Sequence, residues 1–79
     1  MYGDTKQKYV RLKEYNQIII FPELIQHSKF EWWGVKSAGF CYVGEKNVRC
    51  FGESISLGLK SLEEDSELAT KQLFGYDDE

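Results

Sequence analysis

Cys41, Cys50 and His27 are the side chains in this sequence best suited to covalent chemistry. A cysteine thiolate activated by a histidine would give nucleophilic catalysis, and two opposed cysteines would give a redox pair. His27 stands fourteen residues before Cys41. No third group that would orient the histidine is identifiable, and no family signature surrounds Cys41. A thiol becomes reactive where positive charge or a helix N-terminus lowers its pKa. Lys46 and Arg49 are near in sequence, but nothing in the pattern puts them on the cysteine side. The plainer reading is two small buried apolar residues, reduced in a cytoplasmic setting, with no disulfide expected. His27 then hydrogen-bonds where a loop enters a helix. Two cysteines and one histidine do not make a structural zinc site.

The serines offer less. Gly52-Glu53-Ser54-Ile55-Ser56 lacks the flanking glycines of a nucleophile elbow. Gly39, Gly44, Gly52 and Gly58 are too widely spaced for a phosphate-cradling loop. They mark bulges, a turn or close approaches of another element. With no catalytic constellation, the expectation is a non-enzymatic protein without cofactor, metal or catalytic residue.

Composition narrows the class. The chain has 79 residues, 42% hydrophobic and 29% charged, which describes a folded globular domain. A chain this short buries roughly 60–65% of the surface its unfolded form exposes, so its core is marginal. The net charge of −3 argues against a general nucleic-acid binder. No apolar run approaches the ~18 residues of a membrane span, and the first eight residues lack the apolar region of a signal peptide. Charge is uneven. Residues 1–14 hold four bases against two acids, and residues 63–79 hold seven acids against Lys71. That acidic end is a solvated helix start and tail, or a surface aimed at a basic partner.

These residues must be positioned by a small set of elements. Tyr9 to Tyr15 alternates apolar and charged residues and predicts an edge strand or extended arm. Ile18-Ile19-Ile20-Phe21 is a continuous apolar run that predicts a strand buried on both faces, at the centre of the sheet. Pro22 ends it. Ser28-Lys29-Phe30-Glu31 has the form of a capping box and predicts a short helix from Ser28 to Trp33, closed by Gly34. A helix beginning at Pro22 is the alternative. Val35–Val43 and Val48–Phe51 form a hairpin around residues 44–47. Its even loop pairs residues whose numbers sum to 91, which sets Cys41 opposite Cys50, Phe40 opposite Phe51 and Tyr42 opposite Arg49. Both faces of the hairpin are part apolar, which predicts a place inside the sheet. Ser54–Leu59 alternates and predicts a half-buried strand, or a continuation past a bulge at Gly52. Ser61-Leu62-Glu63-Glu64 is a second capping box, opening a helix that Gly75 stops. The expected fold is α+β: a three- to four-stranded, mainly antiparallel sheet with two helices packed on it. It forms one domain over residues 1–79, frayed at 1–8 and 76–79.

Several strings carry a resemblance. Phe21-Pro22-x-x-Ile25-x-His27-Ser28, Ser37-Ala38-Gly39-Phe40-Cys41 and Cys50-Phe51-Gly52-Glu53-Ser54-x-Ser56-Leu57-Gly58-Leu59-Lys60-Ser61, then Glu64-Asp65, resemble a group of short bacteriophage and prophage proteins. The resemblance spans about residues 18–73 and implies an origin; no activity, cofactor or site residue comes with it. Phage proteins of this size often bind host machinery.

The candidate interface residues are Trp32, Trp33, Tyr42, Glu63, Glu64, Asp65 and Glu67. Adjacent tryptophans at a helix end cannot both face a core, so one is expected inside and the other at the surface or on a partner. Tryptophan is enriched among interface hot spots. The acids would speed encounter and sharpen specificity more than affinity. The expected function is a protein-binding module, in its concrete form a phage-encoded inhibitor or modulator of a host or defence factor. A homo-oligomerising protein paired through Ile18–Phe21 or Tyr9–Tyr15 is the alternative, and a small cysteine-based redox protein a further one. The expected partner is a protein, with no nucleic acid and no membrane.

Overall fold

A computed structural model describes residues 6–75. The expectations placed on residues 1–5 and 76–79, including the acids Asp77–Glu79, lie outside the described residues. Four strands, β1 (Lys6–Leu12), β2 (Ile18–Phe21), β3 (Val35–Val43) and β4 (Val48–Phe51), form an antiparallel sheet in the order β2-β1-β3-β4. Two-residue strands β5 (Glu53–Ser54) and β6 (Leu59–Lys60) make a separate small hairpin. A 3-10 helix spans His27–Trp33, and an α-helix, α1, spans Asp65–Phe74. The fold is α+β, with both faces of the four-stranded sheet covered over part of their extent.

Strand alternation assigns residues to two cores. Tyr9, Ile18, Cys41 and Val48 face α1 and pack with its Ala69. Val10, Leu12, Phe21, Val35 and Ala38 face the other way, under Phe30 of the 3-10 helix and Leu57 and Leu59 of the small hairpin. This two-sided burial corrects the predicted strand order. Ile18–Phe21 is apolar throughout because its alternate residues serve both cores, yet β2 lies at an edge. The central strand is β1, which pairs with β2 on one side and β3 on the other. Lys6, Gln7 and Lys8, expected in a frayed end, are its first residues.

The β3–β4 hairpin has the predicted register, with Phe40 opposite Phe51, Cys41 opposite Cys50, Tyr42 opposite Arg49 and Val43 opposite Val48. Its second arm is nevertheless a sheet edge. α1 protects that edge: the N–H groups of Val48 and Cys50 donate to Thr70 Oγ1 and Ser66 Oγ at 2.9 and 2.8 Å. On the opposite edge, the Ile18 N–H donates to Gln72 Oε1 at 2.9 Å. One helix therefore covers two backbone donors on β4 and one on β2, which blocks further pairing at those positions.

The 3-10 helix begins one residue before the predicted Ser28, and Ser28 makes no capping hydrogen bond there. Gly34 closes it at φ 80, with its N–H donating to the Glu31 carbonyl. At α1 the predicted capping box is also displaced. Asp65 Oδ2, not Glu64, reaches back to a backbone N–H, that of Leu62, at 3.0 Å. Gly75 ends α1 in the left-handed region, φ 66, as its position after Phe74 predicts. The predicted single strand over Ser54–Leu59 is instead a tight hairpin, with residues 55–58 turning between β5 and β6. Gly58, at φ 67, donates to the Ser54 carbonyl, and Ser54 Oγ accepts from the Leu57 N–H. Ile55 consequently points into solvent.

Candidate functional site

Asp65 was expected on an acidic surface; its side chain is instead completely buried. Its Oδ2 accepts from the Tyr9 hydroxyl at 2.5 Å, the Ser37 hydroxyl at 2.7 Å and the Leu62 N–H. Its Oδ1 accepts from Arg11 Nη1 at 2.8 Å. The same Arg11 nitrogen reaches the exposed Glu64 at 3.1 Å, and Nε and Nη2 hold the Asn16 side chain. Asn16 sits at φ 52 in the β1–β2 turn, a conformation asparagine tolerates. Burial alone would raise the Asp65 pKa. The hydrogen bonds from Leu62, Tyr9, Ser37 and Arg11 outweigh it and hold the carboxyl below its ordinary value. Burial pushes the Tyr9 phenol up, and its bond to Asp65 adds to that. Every donor and acceptor here has a partner, and no buried side-chain polar atom among the described residues lacks one. The cluster fastens α1 to the sheet.

The cysteine and histidine do not form a dyad. His27 packs edge-on to Phe21 and Phe40, at ring-centroid distances of 5.6 and 5.7 Å, and its Nε2 meets the Gly39 carbonyl at 2.8 Å. Phe40 and Cys41 are consecutive on β3 and point to opposite faces. His27 thus lies across the sheet from the thiol. Burial holds its pKa below the ordinary value against the pull of the Gly39 carbonyl, with the Lys8 charge acting in the same direction as burial. Cys41 and Cys50 are free thiols, raised by burial to about 11 and about 12. Gly39 permits a close approach here: a Cβ on it would stand 2.5 Å from the Phe51 carbonyl oxygen. Among the described residues, no three His, Cys, Asp or Glu side chains group as a metal site.

The remaining candidates are at the surface. Trp32 is 80% exposed and Trp33 49%, with ring centroids 5.1 Å apart. The expectation that one tryptophan enters the core is corrected. His27 is buried and Phe30 packs on Phe21 at 4.7 Å, which leaves the C-terminal end of the 3-10 helix over solvent. Tyr42 is 36% exposed and stacks on Phe51 at 5.3 Å with an interplanar angle of 18°. Glu63, Glu64 and Glu67 are exposed around the start of α1, on the side of the sheet away from Tyr42. The candidates therefore fall into three places: the tryptophan pair, the Tyr42 face and the acidic helix start.

Tyr9, Arg11 and Ser37 were missed as partners of Asp65. The available signal was that Tyr9 and Arg11 share one face of a strand whose other face carries Val10 and Leu12. Phe40 and Phe51, placed on the Tyr42 face by the register, were missed as members of a surface. No helix among the described residues is long and apolar enough to cross a membrane. Comparison with protein-family models, curated proteins and solved structures finds no match.

Proposed function

We propose that this domain is a non-enzymatic module that binds a protein partner through Trp32 and Trp33. The carrying observation is the exposed, mutually packed tryptophan pair at the end of a short helix whose inward positions are filled by His27 and Phe30. Large aromatic side chains left in water are the usual anchors of interfaces. The raised thiols and the enclosed Asp65 network support a binding role over a catalytic one. Glu63, Glu64 and Glu67 would add attraction to a basic rim. With the resemblance of residues 18–73 to bacteriophage and prophage proteins, the concrete form is a phage-encoded inhibitor or modulator of a host or defence factor, acting in the cytoplasm.

The test is a pull-down with the tagged chain and its Trp32→Ala variant, from lysate of cells in which the chain occurs. A partner held near stoichiometry by the wild type and lost by the variant supports the reading. A partner held equally by both, or none, overturns it.

A homo-oligomer is the second reading, favoured by one observation. β2 is an edge strand, and beyond the Gln72-covered Ile18 its outward backbone groups at Ile20 remain at that edge. Pairing through Tyr9–Tyr15 does not apply, because Tyr9 to Leu12 lie in β1, which has a strand on each side, and residues 13–15 form a turn. A sedimentation mass of two chains would favour this reading, and a monomer would exclude it.

A further inference from the structure

We propose a second binding surface: the open part of the sheet face opposite α1, as a platform for single-stranded nucleic acid. Register and alternation set Lys6, Tyr42 and Arg49 side by side across β1, β3 and β4, with Lys8, Phe40 and Phe51 in the next row. The rings are continuous. Tyr42 stacks on Phe51, Phe51 lies 6.1 Å from Phe40, and Lys6 Nζ stands 4.8 Å from the Phe40 ring centroid. Tyr42 and Phe51 are each more than a third exposed, and Arg49 and Lys6 are exposed at the rim. Lys6 also pairs with Glu23 at 3.3 Å, and Lys8 Nζ donates to the Ile25 carbonyl. Lys6 is thereby held beside the Phe40 ring.

Aromatic rings interleaved with cations suit unpaired bases joined by phosphates, because a base stacks on a ring while the phosphate backbone meets a cationic side chain. The net charge of −3 averages over two unlike surfaces. Glu63, Glu64 and Glu67 gather at α1, whereas Lys6, Lys8 and Arg49 lie on the opposite face of the sheet. A polyanion approaching the aromatic face meets Arg49, Lys8 and the Glu23-paired Lys6, with Glu63, Glu64 and Glu67 behind the sheet. The partly exposed rings of Tyr42 and Phe51 beside the exposed Arg49 favour stacked bases joined by phosphates.

The experiment is fluorescence anisotropy of the full chain with a labelled oligothymidylate of about 15 nucleotides, at low and raised salt. Saturable binding is expected, with log affinity falling against log salt at a slope of about −1 to −2, as two or three bases release counterions. Tyr42→Ala should weaken binding about tenfold or more, and Tyr42→Phe should restore most of it. Phe51→Ala supplies a second ring deletion, with circular dichroism to confirm that each variant is folded. Glu67→Gln and Trp32→Ala should leave the affinity unchanged, which separates this surface from the tryptophan site. Absence of binding, equal affinity for duplex of the same sequence, or a folded Tyr42→Ala that binds like the wild type would each overturn the proposal. So would a protein partner whose capture depends on Tyr42 and is not competed by the oligonucleotide.

Discussion

Arg11 and Asp65 lie 54 residues apart in the chain and meet at 2.8 Å with both side chains buried. This pair, with Tyr9, Ser37 and Leu62 on the other carboxylate oxygen, joins the central strand to the start of α1. Removing one member of a buried ion pair leaves the other charge without its partner, at a cost of about 3–5 kcal/mol. That is a large share of the roughly 5–15 kcal/mol that stabilises a domain. Asp65→Ala should therefore lower or abolish the cooperative urea transition. Glu64→Ala, which removes the exposed carboxylate on the same arginine, should cost about 1 kcal/mol or less. Comparable midpoints for the two variants would contradict this division of roles.

Stability should fall with pH in two steps. His27 has a folded pKa below its ordinary 6.5, so the unfolded chain binds the proton more readily. Its contribution is complete above about pH 6.5 and is lost as pH falls below that value toward the folded pKa. Asp65 is held below its ordinary 3.8, so its contribution is complete above that range and lost as pH falls through the folded pKa. Urea midpoints at about pH 8, about pH 5.5 and about pH 3.5 separate the steps. His27→Gln should remove the first and leave the second.

The thiols should be inert in the folded protein. With pKa values of about 11 and about 12, the thiolate fraction at neutral pH is about one in ten thousand or less. Alkylation should wait for denaturant. Cys41→Ser should cost about 1–3 kcal/mol, because it puts a hydroxyl into a fully buried apolar site. Cys50→Ser should cost less, since Cys50 is half-buried beside the Ser66 hydroxyl. Rapid labelling of either native thiol would contradict the burial and revive the redox reading.

The edge cover by α1 should be measurable. Ser66→Ala and Thr70→Val each leave a β4 backbone N–H without its side-chain acceptor, at about 1 kcal/mol apiece. Both together should also raise self-association, because they expose a strand edge. Light scattering against concentration reads that effect, and an unchanged monomer would show that the edge is guarded otherwise.

The β3–β4 register was legible because residues 44–47 are the only break between two apolar runs, and an even loop admits one pairing. The end of α1 was legible because Gly75 follows its last apolar residue. The order of the strands was not. Apolar alternation shows which faces are buried, and here it could not tell an edge strand serving two cores from a central one. Asp65 was misplaced for a related reason. Among Glu63, Glu64 and Glu67 it looks like one more solvated acid, and only the tertiary approach of Arg11 and Tyr9 distinguishes it. The tryptophan pair is an anomaly in the sequence, but the exposure of both rings depends on Phe30 taking the inward position. The Phe40–Tyr42–Phe51 surface follows from the β3–β4 register, and the net charge of −3 masks the cations beside it.

The central claim is that Trp32 and Trp33 anchor a protein partner. The most direct measurement is the affinity of the purified partner for the wild type, Trp32→Ala and Trp33→Ala. A loss of about 2 kcal/mol or more, roughly thirtyfold, is expected for at least the more exposed Trp32, with the fold unchanged. Equal affinity in all three proteins would contradict it.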